Sequence, residues 1–483
     1  MRTNSSARIA ARRGFLGGAA ATIGLLATRW LGRAVAQAPA VTAPEDRQRI
    51  EAAIPAQAFA TPHKPRRLLI FDLNVGYGGH GSIGTANTAF TLMGEKTGAF
   101  TTVVSRDPAV FEPESLRQFD AVFFNNTVGN CFDDPGLRRS LVEFVYRGGG
   151  LMGVHGTSVA FTKWPGAIED WPEFGIMLGA RGANHKAADE HVFIKLDDPA
   201  HPVNQAFGGQ GFDYRDEFFR VHEPYSRNRV RVLLSIDTQK TDMQQEPIYG
   251  AVVRPDNDYA LAWVRQYGLG RIFYCGFAHH PSVFWDPKML QFYLAAVQFA
   301  LGDLPGPTTP SAKLTPAIRA QEQLGWRLVL TPSSESTLFE TIDKAAGLGV
   351  LYVGGSSSQK VSGDIPRQFD EQLSDDERRE IRLKLDAAGV RLLTYHGGRE
   401  PSSQRLEFAR TMGVETVIAD AMPPGVVSLD EAAGNNRIES LLDDLHRRHP
   451  RPMVFTIGTI DGLAQHIEAF NQASVRLANG GKS

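Results

Sequence analysis

The chain has 483 residues, 42% hydrophobic and 22% charged, with a formal net charge of −2. That is enough chain for two or three domains and the balance of a globular protein. Near-neutral charge leaves no footprint for nucleic acid and no electrostatic pull toward a membrane surface, so neither partner is expected. Only two cysteines occur, Cys131 and Cys275, which excludes a framework of disulfides and suits two isolated core residues.

The first feature in chain order is Arg12-Arg13, followed by Gly14-Phe15-Leu16 and an apolar run from Gly17 to Ala27. That run is too short to span a bilayer as a stable helix. Ala34-Val35-Ala36 offers small residues to a signal peptidase. Residues 1–36 are therefore expected to be a twin-arginine signal peptide, and the mature protein to be periplasmic or secreted. No later apolar stretch is long enough to cross a membrane. Residues 37–65, rich in Ala, Pro and Gln, have no sustained period and are expected to be a linker.

Regular structure then begins. Strand composition marks 66–73, 100–105, 120–125 and 151–155, with helical stretches at 82–96 and 135–147. Apolar strands alternating with helices imply a parallel, doubly wound α/β sheet. From 158 to 225 the pattern loosens into an expected insertion or lid containing Trp164 and Trp171. Strand composition returns at 191–196, 230–236, 259–266 and 271–277, and 287–301 closes a first domain of 66–303. A Pro-rich linker is expected over 304–317. Beyond it, 318–478 alternates short apolar strands (326–330, 350–353, 390–395, 416–419, 452–457) with helices. About five β/α units, where a complete barrel needs eight, predict a second α/β domain resembling a partial TIM barrel.

Ligands of doubly wound sheets sit at the carboxyl ends of the strands. Here those ends run into Val75-Gly76-Tyr77-Gly78-Gly79-His80, Asn125-Asn126-Thr127 and Gly153-Val154-His155-Gly156. Further on come Gly182-Ala183-Asn184-His185, Asp198-Pro199-Ala200-His201-Pro202, Asp216-Glu217-Phe218-Phe219, and a last strand followed by His279-His280. Taken in order, these segments resemble the ThuA-like (trehalose-utilisation) family. The resemblance implies a flavodoxin-like fold shared with class I glutamine amidotransferases but lacking their catalytic cysteine. At the tight turn where that cysteine would stand, this chain has Val154 and His155, so amidotransferase chemistry is not expected. The resemblance also implies a small carbohydrate substrate, such as a keto sugar or keto-glycoside. More weakly, Leu348–Val353 and Leu392–Gly397 resemble early strands of the sugar-phosphate isomerase/epimerase (xylose isomerase-like) barrel, whose later metal-bearing strands are not recognisable.

Nine of the thirteen histidines lie between His63 and His280. Imidazole binds divalent metals and moves protons near neutral pH. His80, His155 and His185, with glycine nearby, are expected to hold one divalent transition metal such as zinc or manganese. His155, Glu217 and His279 are expected to carry catalysis, and Asn126, Trp164, Trp171 and His280 to contact substrate. Glu190, Asp216 and Glu217 are the available acids, and Glu217 stands equally as a site carboxylate or a partner of Arg215 or Arg220. Neighbours on an extended chain face opposite ways, so one of His279 and His280 points inward, and the sequence does not say which. His201, before Pro202, is read as a turn cap, and His63, His191 and His222 as structural. There is no dinucleotide fingerprint and no P-loop, so no NAD and no nucleotide are expected. The expectation is an exported sugar-modifying enzyme of lyase, hydrolase or isomerase type. The alternative is a non-catalytic sugar-binding or scaffold protein that partners a sugar oxidoreductase or a second copy of itself.

Overall fold

The computed structural model describes residues 42–163, 168–244, 253–419, 421–435, 437–449 and 452–480. The expected signal peptide and Trp164 lie outside them. Residues 37–483 form one compact unit. Its elements begin with α1 (Pro44–Ala53), β1 (Arg67–Phe71), α2 (Ile83–Thr97), β2 (Thr101–Ser105), β3 (Ala121–Asn125), α3 (Pro135–Tyr146) and β4 (Gly150–Val154). They continue with β5 (Glu190–Leu196), β6 (Phe212–Asp216), β7 (Arg231–Ile236), β8 (Ala260–Tyr267), β9 (Gly270–Cys275) and α4 (Pro287–Leu301).

The nine strands form one sheet in the order β2-β1-β3-β4-β9-β8-β7-β5-β6. β2 to β9 in that order run parallel, and every pairing from β9 to β6 is antiparallel. β3 and β4 are buried along their whole length, as strands covered on both faces must be. The core on one face includes α2 and α4, and the core on the other includes α3. The sheet is thus mixed rather than wholly parallel, because composition does not report strand direction. Within the stretch expected to be a loose lid, the strand expected at 191–196 is β5, and β6, which was not expected, pairs with it. The same stretch also forms a small two-stranded antiparallel pair, 181–184 against 220–222. Nor is 37–65 an irregular linker throughout, since α1 buries Ile50 and Ile54 follows it into the core. The Pro-rich 304–317 segment is tied down: Ser311 N–H donates to Val230 O (3.0 Å), and Val232 N–H to Ser311 Oγ (2.9 Å). Both cysteines are buried and unpaired.

The second sheet has six parallel strands: β10 (Trp326–Leu330), β11 (Tyr352–Ser356), β12 (Arg391–His396), β13 (Thr416–Ile418), β14 (Val426–Ser428) and β15 (Met453–Ile457). Their order is β13-β12-β11-β10-β15-β14. In a complete eight-stranded barrel the first strand sits between the second and the eighth. β15 and β14 therefore stand where strands eight and seven would, and strands five and six are the ones without a counterpart. Sequence reading missed β14, which is only three residues long. Val329, Leu393 and Val454 of the middle strands share one buried cluster with Ile418 and Val426 of the two edge strands. These residues line one covered face of the sheet. Among the described residues, no helix is long and apolar enough to cross a membrane.

Candidate functional site

β4 ends at Val154, and His155 then turns with φ +41° into a short 3-10 segment. A positive φ is costly for a side-chain-bearing residue and persists only where the surroundings impose it. Here they do. Tyr274 Oη donates to His155 O (2.9 Å), and Gly156 N–H donates to Asn126 Oδ1 (3.1 Å). Asn126 itself has φ +54° just past β3, and its amide donates to Ser82 Oγ and Ala278 O. The ends of β3, β4 and β9 are thereby locked together. His155 Nδ1 lies 3.2 Å from Gly276 O and can only donate to it, so the lone pair is on Nε2.

That lone pair faces a cluster. His80 from the loop after β1, His155, His279 from the turn after β9 and Glu217 after β6 offer four ligand atoms that all lie within 4.8 Å of one another. His155 Nε2 is 3.3 Å and His279 Nδ1 is 3.4 Å from Glu217 Oε1. Neither contact has hydrogen-bond geometry. His80 Nδ1, His155 Nε2 and His279 Nδ1 are all buried without a hydrogen-bond partner. Gly156 makes the approach possible, since a Cβ there would lie 2.9 Å from His80 Cε1. Burial, reinforced by His155 and His279, pushes the His80 imidazole well below its usual pKa. Burial also opposes charge on His279, but Glu217 outweighs it and raises the pKa. Burial favours neutral Glu217, yet His155 and His279 hold its carboxyl well below the usual carboxylate range.

The three candidate acids divide cleanly. Glu190 takes a buried two-pronged bond from Arg220 (2.7 and 3.0 Å). Asp216 accepts the backbone N–H groups of Ala278, His279 and His280 (3.0–3.2 Å), fixing the turn that carries His279. Only Glu217 is left to face the imidazoles. His279 is the one of its pair that joins them. His280 Nε2 instead donates to Ala188 O (2.7 Å), with its ring beside that of His279.

Several expected residues sit elsewhere. His185, expected as a metal ligand, stands outside the group of four, with its Nδ1 3.2 Å from Glu217 Oε2 and 2.9 Å from Lys186 O. Trp171 does not reach the cluster. It packs among Phe132, Phe161 and Phe174 under Arg138, where burying its large ring outweighs any gain from exposure to a ligand. Asn126 is fully buried and its amide is spent on protein partners, so it positions His155 rather than presenting a free group. The backbone-fixing role of Asp216 and the walling role of Phe219 were not foreseen. Phe219 walls the site, its ring 4.9 Å from that of His155 and 5.2 Å from that of His185. The His155 side chain is wholly enclosed and that of His279 is 23% exposed, so the cluster opens on the His279 side.

Three imidazoles and one carboxylate are a donor set that suits transition metals such as zinc or manganese. No curated protein matches the chain. Among solved structures, a thuA-like protein from Bacteroides uniformis is 18% identical, with 50% of this chain and 93% of that chain covered and a TM-score of 0.41. A second, from Parabacteroides merdae, is 17% identical with the same coverage and a TM-score of 0.35. A β-galactosidase from Bacillus circulans sp. alkalophilus is 12% identical over 50% of this chain and 32% of that chain, with a TM-score of 0.32. Residues 67–300 match the ThuA family, described as trehalose utilisation. Over that span the chain resembles the ThuA family, whose description, trehalose utilisation, is a carbohydrate-related one.

Proposed function

We propose that this chain is an exported enzyme that uses a divalent transition metal to act on a carbonyl-bearing small sugar, such as a keto-glycoside. The observation that carries the metal is the set of three buried imidazole nitrogens, otherwise without partners, gathered around Glu217. Leaving such atoms unpaired costs free energy, and a cation removes that cost. The separations fit as well. Ligands of a tetrahedral zinc about 2.0–2.1 Å from the ion lie roughly 3.3 Å apart, and Glu217 Oε1 is 3.3 and 3.4 Å from the nitrogens of His155 and His279.

In this proposal His80, His155, His279 and Glu217 hold the ion. Gly276 O fixes the His155 tautomer and Asp216 fixes the turn bearing His279, the outer support that metal ligands ordinarily need. The bound ion would supply Lewis-acid polarisation of a substrate oxygen. In this reading Glu217 Oε2, 3.2 Å from His185 Nδ1, takes or returns a proton. Phe219 excludes water from one side. The sugar class rests on the family match, and export on the Arg12-Arg13 segment.

Elemental analysis of untagged protein is the test. Close to one zinc or manganese per chain, lost in His155→Asn together with turnover of keto-glycosides, is the expected result. Asparagine tolerates the positive φ of this position, so the variant separates ligand loss from backbone strain. No metal after incubation with zinc and manganese, or unchanged turnover in the variant, would overturn the proposal. The second reading is a scaffold for a sugar oxidoreductase or a second copy of the chain. It is favoured by the two outer strands β13 and β14, each paired on one side only among the described residues.

A further inference from the structure

At the opposite end of β9 from the histidine cluster, a groove of about 1010 Å³ runs between the two sheets at the amino-terminal ends of their strands. Six arginines line it, Arg147, Arg231, Arg271, Arg319, Arg327 and Arg391, against three carboxylates, Asp198, Glu322 and Glu415. The carboxylates are already engaged. Asp198 and Glu322 both bind Arg231, and Glu415 is shared by Arg327 and Arg391. Arg147 pairs with Glu407.

Arg271 is the exception among the half-buried ones. No described residue gives its side chain a hydrogen bond or an ion pair. Its guanidinium packs on Gly302, where a Cβ would lie 2.8 Å from Nη1, so the glycine's missing side chain makes room for it. The nearby acids are spent: Glu415 as above, and Asp303 on Arg66, which it binds with both oxygens. Burial, outweighing the pull of Glu415, lowers the Arg271 pKa. Arg319, exposed on the same groove, has no side-chain partner either.

A guanidinium cannot shed its charge at ordinary pH, so partial burial without a carboxylate leaves a standing cost. An anion from solution would remove it, and the planar fork of arginine suits phosphate and carboxylate oxygens. We propose that this groove binds an oxyanion, a phosphate or a carboxylate group, with Arg271 as its principal contact and Arg319 as its outer one. This goes beyond the sugar chemistry proposed above and does not depend on it. The occupant is an anionic small molecule rather than nucleic acid, because the chain as a whole carries a net charge of −2.

The test is thermal unfolding of the full chain in inorganic phosphate and, separately, in malonate, each against sodium chloride of equal ionic strength. A binder of the folded state raises Tm by mass action, here by roughly 2–4 °C once the anion is well above its Kd. A larger rise with phosphate assigns a phosphate ligand, and a larger rise with malonate a carboxylate. Arg271→Met is expected to abolish the rise and Arg271→Lys to keep part of it. If Arg271→Met does not fold, Arg319→Ala, on the exposed wall, should weaken the apparent affinity at least about threefold by removing one charge-assisted contact. Equal Tm in all three salts, or a full rise in both Arg271→Met and Arg319→Ala, would overturn the proposal.

Discussion

His155 follows β4 in the first sheet, and His396 ends β12 in the second, yet only the first belongs to a cluster. Each stands at the carboxyl end of a central parallel strand, where such folds place their chemistry. Around His155 three other chain segments converge with His80, His279 and Glu217. Around His396, among the described residues, no group of three or more candidate ligands gathers. Burial lowers the pKa of His396, as it does that of His80, so burial does not distinguish them. What distinguishes them is convergence from several strand ends, which in the second sheet is reduced by the two missing strands.

The largest effect expected from this comparison is at Glu217. Glu217→Gln keeps the shape and removes the charge that the imidazoles surround. Metal affinity should fall by more than the ~10–100-fold that changes to outer supporting groups cost. Competition against a chelator measures it. A loss smaller than about tenfold would mean that Glu217 neighbours the site without belonging to it. Next comes Gly156→Ala. The added methyl must displace His80 or Val128, whose nearest atoms stand 2.9 and 3.1 Å from the new carbon. Overpacking of this kind costs about 1–3 kcal/mol. Denaturant melts should show that loss, and the metal-bound form should lose more than the metal-free form if His80 is a ligand.

Most of this arrangement was legible in strand ends, and the reasons are physical. β1, β3 and β4 are near-continuous apolar runs because both faces are covered, so they announce themselves. Glycine beside His80 and His155 marked close approach. The antiparallel half of the sheet was not legible as such, because residue alternation carries no direction. β14 was too short to show a period. Glu217 could not be assigned from sequence, since Arg215 and Arg220 lie as near along the chain as any histidine. The fold decides by giving Arg220 to Glu190. Trp171 misled because its surroundings in sequence look like a loop while its ring lies in the core.

His201 sharpens the comparison from the other side. It is as buried as the cluster histidines, but both of its nitrogens are used. Nδ1 accepts Val203 N–H (3.2 Å), and Nε2–H donates to Pro307 O (3.1 Å). Protonating Nδ1 would set two donors against each other. Burial pushes its pKa down to about 4, against ~6.5 in an unfolded chain. Between those values the unfolded state holds the extra proton, so stability present at pH 7 is lost as pH falls toward 4. Acidification from pH 7 to 5 should cost about 2 kcal/mol through this residue. His201→Asn keeps a turn-capping side chain and removes the titration. Its denaturant midpoint should vary less with pH over that window than the wild type's, and an unchanged slope would show that His201 is not the group responsible.

The smallest expected effect is the one that decides whether convergence is the right criterion. His396→Ala removes a half-buried imidazole at a strand end in the parallel sheet that fits a partial TIM barrel. If a strand-end histidine were enough to make a site, this variant would lose metal or turnover alongside His155→Asn. If several ligands must converge, it should keep the metal content of the wild type and its turnover within about twofold, with a stability change within about 1 kcal/mol, as for substitutions that open no core cavity. Measured in the same preparation as His155→Asn, a loss of metal at His396 would move the functional centre to the second sheet. Unchanged metal there would leave the second sheet with a structural role, or with the binding groove that it shares with the first.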